Sequence, residues 1–142
     1  MALRLPYFDL SPGALTGLLA VGSYLEKSSL GRELIELIYL RVSQINGCAF
    51  CLKKHSKALR DYGVSQDKLD VLAGWHASHS YSERERSALA WAESLTAINT
   101  THAPDDLFEA LKGHFSEKEI SDLTFAISNM NALNRLAISM RQ

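Results

Sequence analysis

Four residues combine side-chain types and spacings that can do chemistry: Glu36, Cys48, Cys51 and His55. On a helix running from the cysteines to Tyr62, Cys48, Cys51 and His55 project from one face within two turns, because positions three and four apart are neighbours on a helical surface. Asn46-Gly47 just ahead reads as a turn and places Cys48 in the first exposed turn. Unpaired backbone amides and the helix dipole stabilise a thiolate there. A thiolate attacks peroxides and disulfides, and a second thiol three residues away can close a disulfide on the oxidised product. His55 can accept or return the proton near neutral pH. Leu52 stands directly after Cys51, so the pattern is not the C-x-x-C-H of covalent haem.

Two other readings fit the same residues. Cys48, Cys51 and His55 are three plausible zinc ligands, with Glu36 or a water as the fourth. Alternatively, the cysteines are inert core thiols. Glu36 sits on the segment 32–45, which is apolar on nearly every side and therefore predicts a buried helix. A carboxylate on such a helix pairs with a neighbour, here Arg32 or Arg41, or has its pKa raised by desolvation toward that of a general base. Ser43 lies seven residues after Glu36, on its face, and either hydrogen-bonds within the site or serves as a surface or capping group.

The elements that must position these residues read as helices with short breaks. Ser11-Pro12 marks a start, followed by an apolar segment from Ala14 to Lys27 and a break at Ser28–Gly31. After helix 32–45 comes the cysteine helix, with Gly63 as its stop. Ser65 caps a segment over 66–77. Ser82-x-x-Glu85 and Ser116-x-x-Glu119 have the capping-box form and open helices at 83–98 and 117–139. Pro104-Asp105-Asp106 starts a shorter helix, with two acids near its N-terminus. No stretch alternates with period two, so the fold class is all-α. The expectation is one domain over residues 1–142, a bundle of six to seven helices. Trp75 and Trp91 read as core residues, and the Glu83–Arg86 charge run as a solvated first turn. His76 and His79 are three apart but lack a third clustered ligand.

Fifteen basic and sixteen acidic residues leave a net charge of -1. That balance argues against a nucleic-acid partner or an anionic membrane surface. No apolar run approaches the roughly 18 residues of a membrane span, and the first residues lack the apolar core of a secretory signal. The expected compartment is the cytoplasm. Two cysteines three positions apart do not make a secreted disulfide scaffold. No glycine-rich phosphate loop points to an organic cofactor, and none is expected. The segments 14–27 and 32–45 present more apolar surface than two neighbours in one small domain can cover, which predicts a homo-oligomer.

The run from Glu36 through Asn46-Gly47-Cys48-Ala49-Phe50-Cys51 to His55 resembles the core motif of the AhpD-like alkylhydroperoxidases, within the carboxymuconolactone decarboxylase-like superfamily. The similarity extends to Glu83–Thr96 and Asn131–Leu136. The resemblance implies an all-helical subunit assembled into trimers or hexamers, with the cysteines near a subunit boundary. It implies a thiol-dependent peroxidase that reduces alkyl or hydrogen peroxide. Cys51 would meet the peroxide, Cys48 would resolve the intermediate, and His55 with Glu36 would relay protons. Helix-terminus physics instead favours Cys48 as the more activated thiol, but the expectation follows the order that the resemblance implies. The best-studied branch carries a histidine where this chain has Phe50, which leaves His55 and Glu36 to serve both thiols. That departure favours an alternative, a disulfide-exchange adaptor for dihydrolipoyl or thioredoxin-like partners. A zinc-stabilised scaffold without catalysis is the third option.

Overall fold

Serine side chains decide where several helices begin in the computed structural model, which describes residues 1–142. Ser82 and Ser116 each form a complete capping box, with Glu85 and Glu119, and Ser65 accepts from the Lys68 amide. These bonds satisfy amides that have no partner inside the helix. The helices are α1 Tyr7–Leu10, α2 Pro12–Leu25, α3 Arg32–Asn46, α4 Ala49–Asp61, α5 Gln66–Asp70, α6 Glu83–Thr96, α7 Ile98–Thr101, α8 Asp105–Leu111 and α9 Glu117–Met140. A 3-10 helix, Leu72–Ala77, follows α5, and there are no strands. No helix is long and apolar enough to cross a membrane.

Two of the expected helices are broken. The segment 66–77 leaves α-geometry after Asp70, and Gly74 has φ -105° and ψ 24°. The cause lies in α6. Arg86 donates to the carbonyls of Trp75 at 2.9 Å, His76 at 2.9 Å and Ser78 at 3.1 Å. Tertiary bonds thus hold the segment in a tighter shape than its own helical ladder would take. Within the Glu83–Arg86 run, only Glu83 matches the expected solvated turn; Arg86 is a structural tie. The segment 83–98 ends at Thr96, because the Thr101 hydroxyl takes the Ser94 carbonyl at 2.7 Å and the chain re-enters helix as α7.

Helix α3 is the centre of the fold, as its composition requires. Leu34, Ile35, Leu37, Ile38, Tyr39, Leu40, Val42 and Ser43 are all buried, and α4, α6 and α9 pack around them. On the α6 side, Arg41 donates from Nε and Nη2 to Glu93 Oε1 at 3.0 and 2.9 Å. Trp75 Nε1 reaches the same oxygen at 2.7 Å, and the His76 ring meets Oε2 at 3.0 Å. Trp75 and Trp91 are both in the core, while His79 is exposed.

Helix α9 is the longest, about 36 Å at 1.5 Å per residue. Its Asp122 accepts from Tyr24 at 3.1 Å and Ser28 at 2.7 Å, and its Asn129 donates to the Leu18 carbonyl at 3.0 Å. These bonds hold α2 against it. Even so, Leu25 is the single fully buried residue of α2, and Leu19 and Tyr24 lie exposed.

Candidate active site

The site begins where α3 stops. Gly47 adopts φ 72° and ψ 37°, a left-handed conformation that glycine takes without a Cβ clash. The amides of Gly47 and Cys48 both bond the Ser43 carbonyl, at 2.9 and 3.0 Å. The chain therefore turns from α3 into α4 within two residues. Cys48 is the N-cap of α4 with extended backbone, and its Sγ accepts from the Cys51 amide at 3.3 Å. It thus stands one position outside the helix that the sequence predicts it to open. Ordinarily a serine, threonine or aspartate caps a helix this way; here a sulfur does.

Cys48 and Cys51 are joined as a disulfide, with Cα atoms 5.3 Å apart. Both are buried, at 1% and 4% exposure, and they pack with Ala137 of α9. A polar net backs the turn. Asn46 Nδ2 donates to Asn131 Oδ1 and Asn134 Oδ1, each at 3.0 Å, and Asn134 Nδ2 donates to Ser43 Oγ at 3.1 Å. Ser43 is therefore part of the support beneath the cysteines and has no surface or capping role.

Glu36 and His55 come together from α3 and α4, with Oε2 and Nδ1 2.6 Å apart. Neither arginine competes for the carboxylate: Arg32 pairs with Glu26 at 3.1 Å, and Arg41 with Glu93. The side chains are 20% and 6% exposed, so the pair is largely shielded from water. The remaining imidazole nitrogen, Nε2, makes no hydrogen bond within the chain.

Tyr39, one turn after Glu36, was not marked by the sequence. Its ring centroid lies 5.1 Å from that of His55, at 56°. Burial, and then the nearby carboxylates of Glu36 and Glu26, hold its phenol well above the usual range, so it keeps its proton at neutral pH. The signal available was its spacing: three positions after Glu36 puts it on the same helical face.

These groups open on a cleft of about 580 Å³ between α2, α3, α4 and α9. Glu36, Tyr39, Cys51 and His55 all line it, and Leu18, Ile35, Met130 and Leu133 form part of its apolar wall. Cys48 does not line it. Of the four residues singled out by sequence, three face the cleft and the fourth is bonded behind them. No cluster of three or more His, Cys, Asp or Glu side chains is arranged to hold a metal ion.

Residues 12–94 match the model of the carboxymuconolactone decarboxylase family. The chain belongs to that family, and its fold is AhpD-like. It is 34% identical over 140 residues to the uncharacterized protein YdfG of Bacillus subtilis, across 99% of this chain and 95% of that one. A shorter match, 45% identical over 38 residues, is to the alkyl hydroperoxide reductase AhpD of Rhizorhabdus wittichii, covering 27% of this chain and 22% of that one. Among solved structures, ATU0492 of Agrobacterium tumefaciens superposes with a TM-score of 0.95 at 41% identity, covering 99% of this chain and 97% of that one. Its function is unknown and its suggested role is antioxidant defence of the AhpD type. The debrominase Bmp8 shares the fold, with a TM-score of 0.79 at 22% identity over 95% of this chain and 73% of that one.

Proposed function

We propose that this protein is a thiol-dependent peroxidase cycling between a Cys48/Cys51 dithiol and the disulfide. One observation carries the reading. Cys51 lines an apolar cleft together with the Glu36–His55 pair, while its disulfide partner Cys48 is sealed behind it. This arrangement supports Cys51 as the thiol that meets the peroxide and Cys48 as the resolving one, in the order that the family resemblance implies. Phe50 does not line up as a base; the base comes from α3 and α4 instead.

The cycle follows from the geometry. With Nδ1–H donating to Glu36, His55 Nε2 is the nitrogen left to take the Cys51 thiol proton, and the carboxylate stabilises the imidazolium that results. The Cys51 thiolate attacks the terminal oxygen of the hydroperoxide, the O–O bond breaks, and the alcohol leaves with one proton. Cys51 is now a sulfenic acid. The Cys48 thiol attacks that sulfur, water leaves, and the disulfide closes. Two electrons from an external dithiol, of dihydrolipoyl or thioredoxin-like type, then reopen it by exchange. Such a donor is maintained in the cytoplasm, the compartment this reading assigns. The exposed apolar residues of α2 support a homo-oligomer, trimer or hexamer.

The test is direct. Reduced protein treated with an organic hydroperoxide should lose two titratable thiols per chain, and Cys51→Ser should abolish the reaction. Thiols that survive in the wild type would sink the proposal.

A second reading, disulfide exchange between a lipoyl or thioredoxin-like donor and another oxidoreductase, is favoured by Phe50. It stands beside Cys51 at 43% exposure on the cleft rim and offers an apolar contact for a partner. Fast reduction of the disulfide by a dithiol donor, with no thiol loss to peroxide, would single it out.

A further inference from the structure

We propose that Tyr39 is a fifth catalytic residue, the acid that protonates the leaving oxygen of the peroxide. The assignment rests on the peroxidase reading above. Tyr39 is 8% exposed and lines the cleft with Cys51, yet its hydroxyl makes no hydrogen bond within the chain. The hydroxyl is not sealed in the core: it reaches the accessible surface of the cleft, where it is free to meet a ligand. Among the other buried aromatic donors, Trp75, Trp91 and Tyr81 all have acceptors: Glu93, Thr124 Oγ1 and the Lys68 carbonyl. Unlike them, the Tyr39 hydroxyl has its donor uncommitted on the cleft wall, available to an oxygen of a bound ligand.

The placement divides the reaction between two helices. Cys51 and His55 come from α4 and act at sulfur, where the imidazole takes the thiol proton. Tyr39 comes from α3, so a hydroperoxide between these walls meets the thiolate at its terminal oxygen and the phenol at the other. When the O–O bond breaks, the sulfur keeps the terminal OH as a sulfenic acid. The departing alkoxide takes the Tyr39 proton. Even held above its ordinary range, this phenol is a stronger acid than an aliphatic alcohol, so the transfer runs downhill. The phenolate then recovers a proton from the His55 imidazolium beside it, 5.1 Å away between ring centroids. The sum is one thiol and one hydroperoxide giving one sulfenic acid and one alcohol, with both side chains restored.

The chemistry supplies a test that a merely structural tyrosine would fail. tert-Butyl hydroperoxide expels an alkoxide that needs a proton, whereas peracetic acid expels a carboxylate that does not. Tyr39→Phe removes no hydrogen bond from the fold and preserves the ring. It should slow oxidation of the reduced protein by tert-butyl hydroperoxide about 100-fold, the low end of general-acid effects. Its rate with peracetic acid should stay within about twofold of wild type, and that rate also verifies that the variant is folded. Equal losses with both oxidants, or no loss with either, would overturn the role of Tyr39 while leaving the peroxidase reading intact. A wild-type protein inert to both oxidants would overturn the peroxidase reading itself, and Tyr39 with it.

Discussion

His55 Nδ1 and Glu36 Oε2 meet at 2.6 Å across the junction of α3 and α4, so the two helices that form the candidate site are joined through this one pair. One carboxylate oxygen thereby selects which face of the imidazole is turned to the cleft. Glu36→Gln keeps the shape but loses the charge that stabilises the imidazolium. Oxidation of the reduced thiols at neutral pH should slow about 100-fold, with the thermal midpoint little changed. Stopped-flow thiol consumption checks this, and an unchanged rate would remove Glu36 from the relay.

The two cysteines should separate cleanly in single variants. Cys48→Ser leaves Cys51 facing the cleft with no resolving partner. One equivalent of hydroperoxide should then produce a sulfenic acid that dimedone traps on Cys51, without turnover. Cys51→Ser should yield no adduct. The reverse pattern, trapping on Cys48 alone, would assign the attack to the capping cysteine.

Asn134 is fully buried and serves both Asn46 and Ser43, the residues that hold the turn before the cysteines. Asn134→Ala leaves Ser43 without its partner and Asn46 with Asn131 alone, at a cost of about 1–3 kcal/mol. Urea unfolding should show the loss as a lower midpoint. An unaltered midpoint would mean that the net contributes nothing to holding the turn.

Glu93 predicts a pH dependence of stability. Burial works against its charge, but hydrogen bonds from Trp75, His76 and Arg41 prevail and lower its pKa. A carboxylate with a depressed folded-state pKa contributes its full stability above the unfolded value, about 4.3, and loses it as pH falls through the folded value. Glu93→Gln should therefore destabilise by about 2 kcal/mol at pH 7, with the gap to wild type narrowing at pH 3. Urea midpoints at the two pH values decide it; an equal gap at both would assign the loss to packing.

Where local chemistry sets the structure, the sequence was legible. The capping serines, the glycine after α3 and the all-round apolar face of α3 each predict what is found. The approach of Glu36 to His55 was legible only through the family resemblance; from the residues alone Arg32 and Arg41 were its candidate partners, and the structure turns both elsewhere. The break in the segment after Ser65 was not, because Arg86 imposes it from another helix. Nor was the asparagine net legible: Asn46 finds its partners 85 and 88 positions later, and nothing in the composition of α9 marks Asn131 or Asn134 as belonging to a turn so far away. Tyr39 escaped for a different reason. A tyrosine on an apolar helix reads as core, and only the missing hydrogen bond distinguishes it.

The position of α9 in the chain has a consequence for how this protein is made. Ala137 closes over the cysteines, Asn134 and Asn131 brace the turn, and Met130 and Leu133 wall the cleft. During translation, these residues emerge from the ribosome after every other element of the domain. Until then the newborn thiols stand with their backing absent, open to any oxidant and to any premature partner. Of the helices that surround the two cysteines, α9 is thus the one made last, and the setting of the candidate site is complete only when it docks.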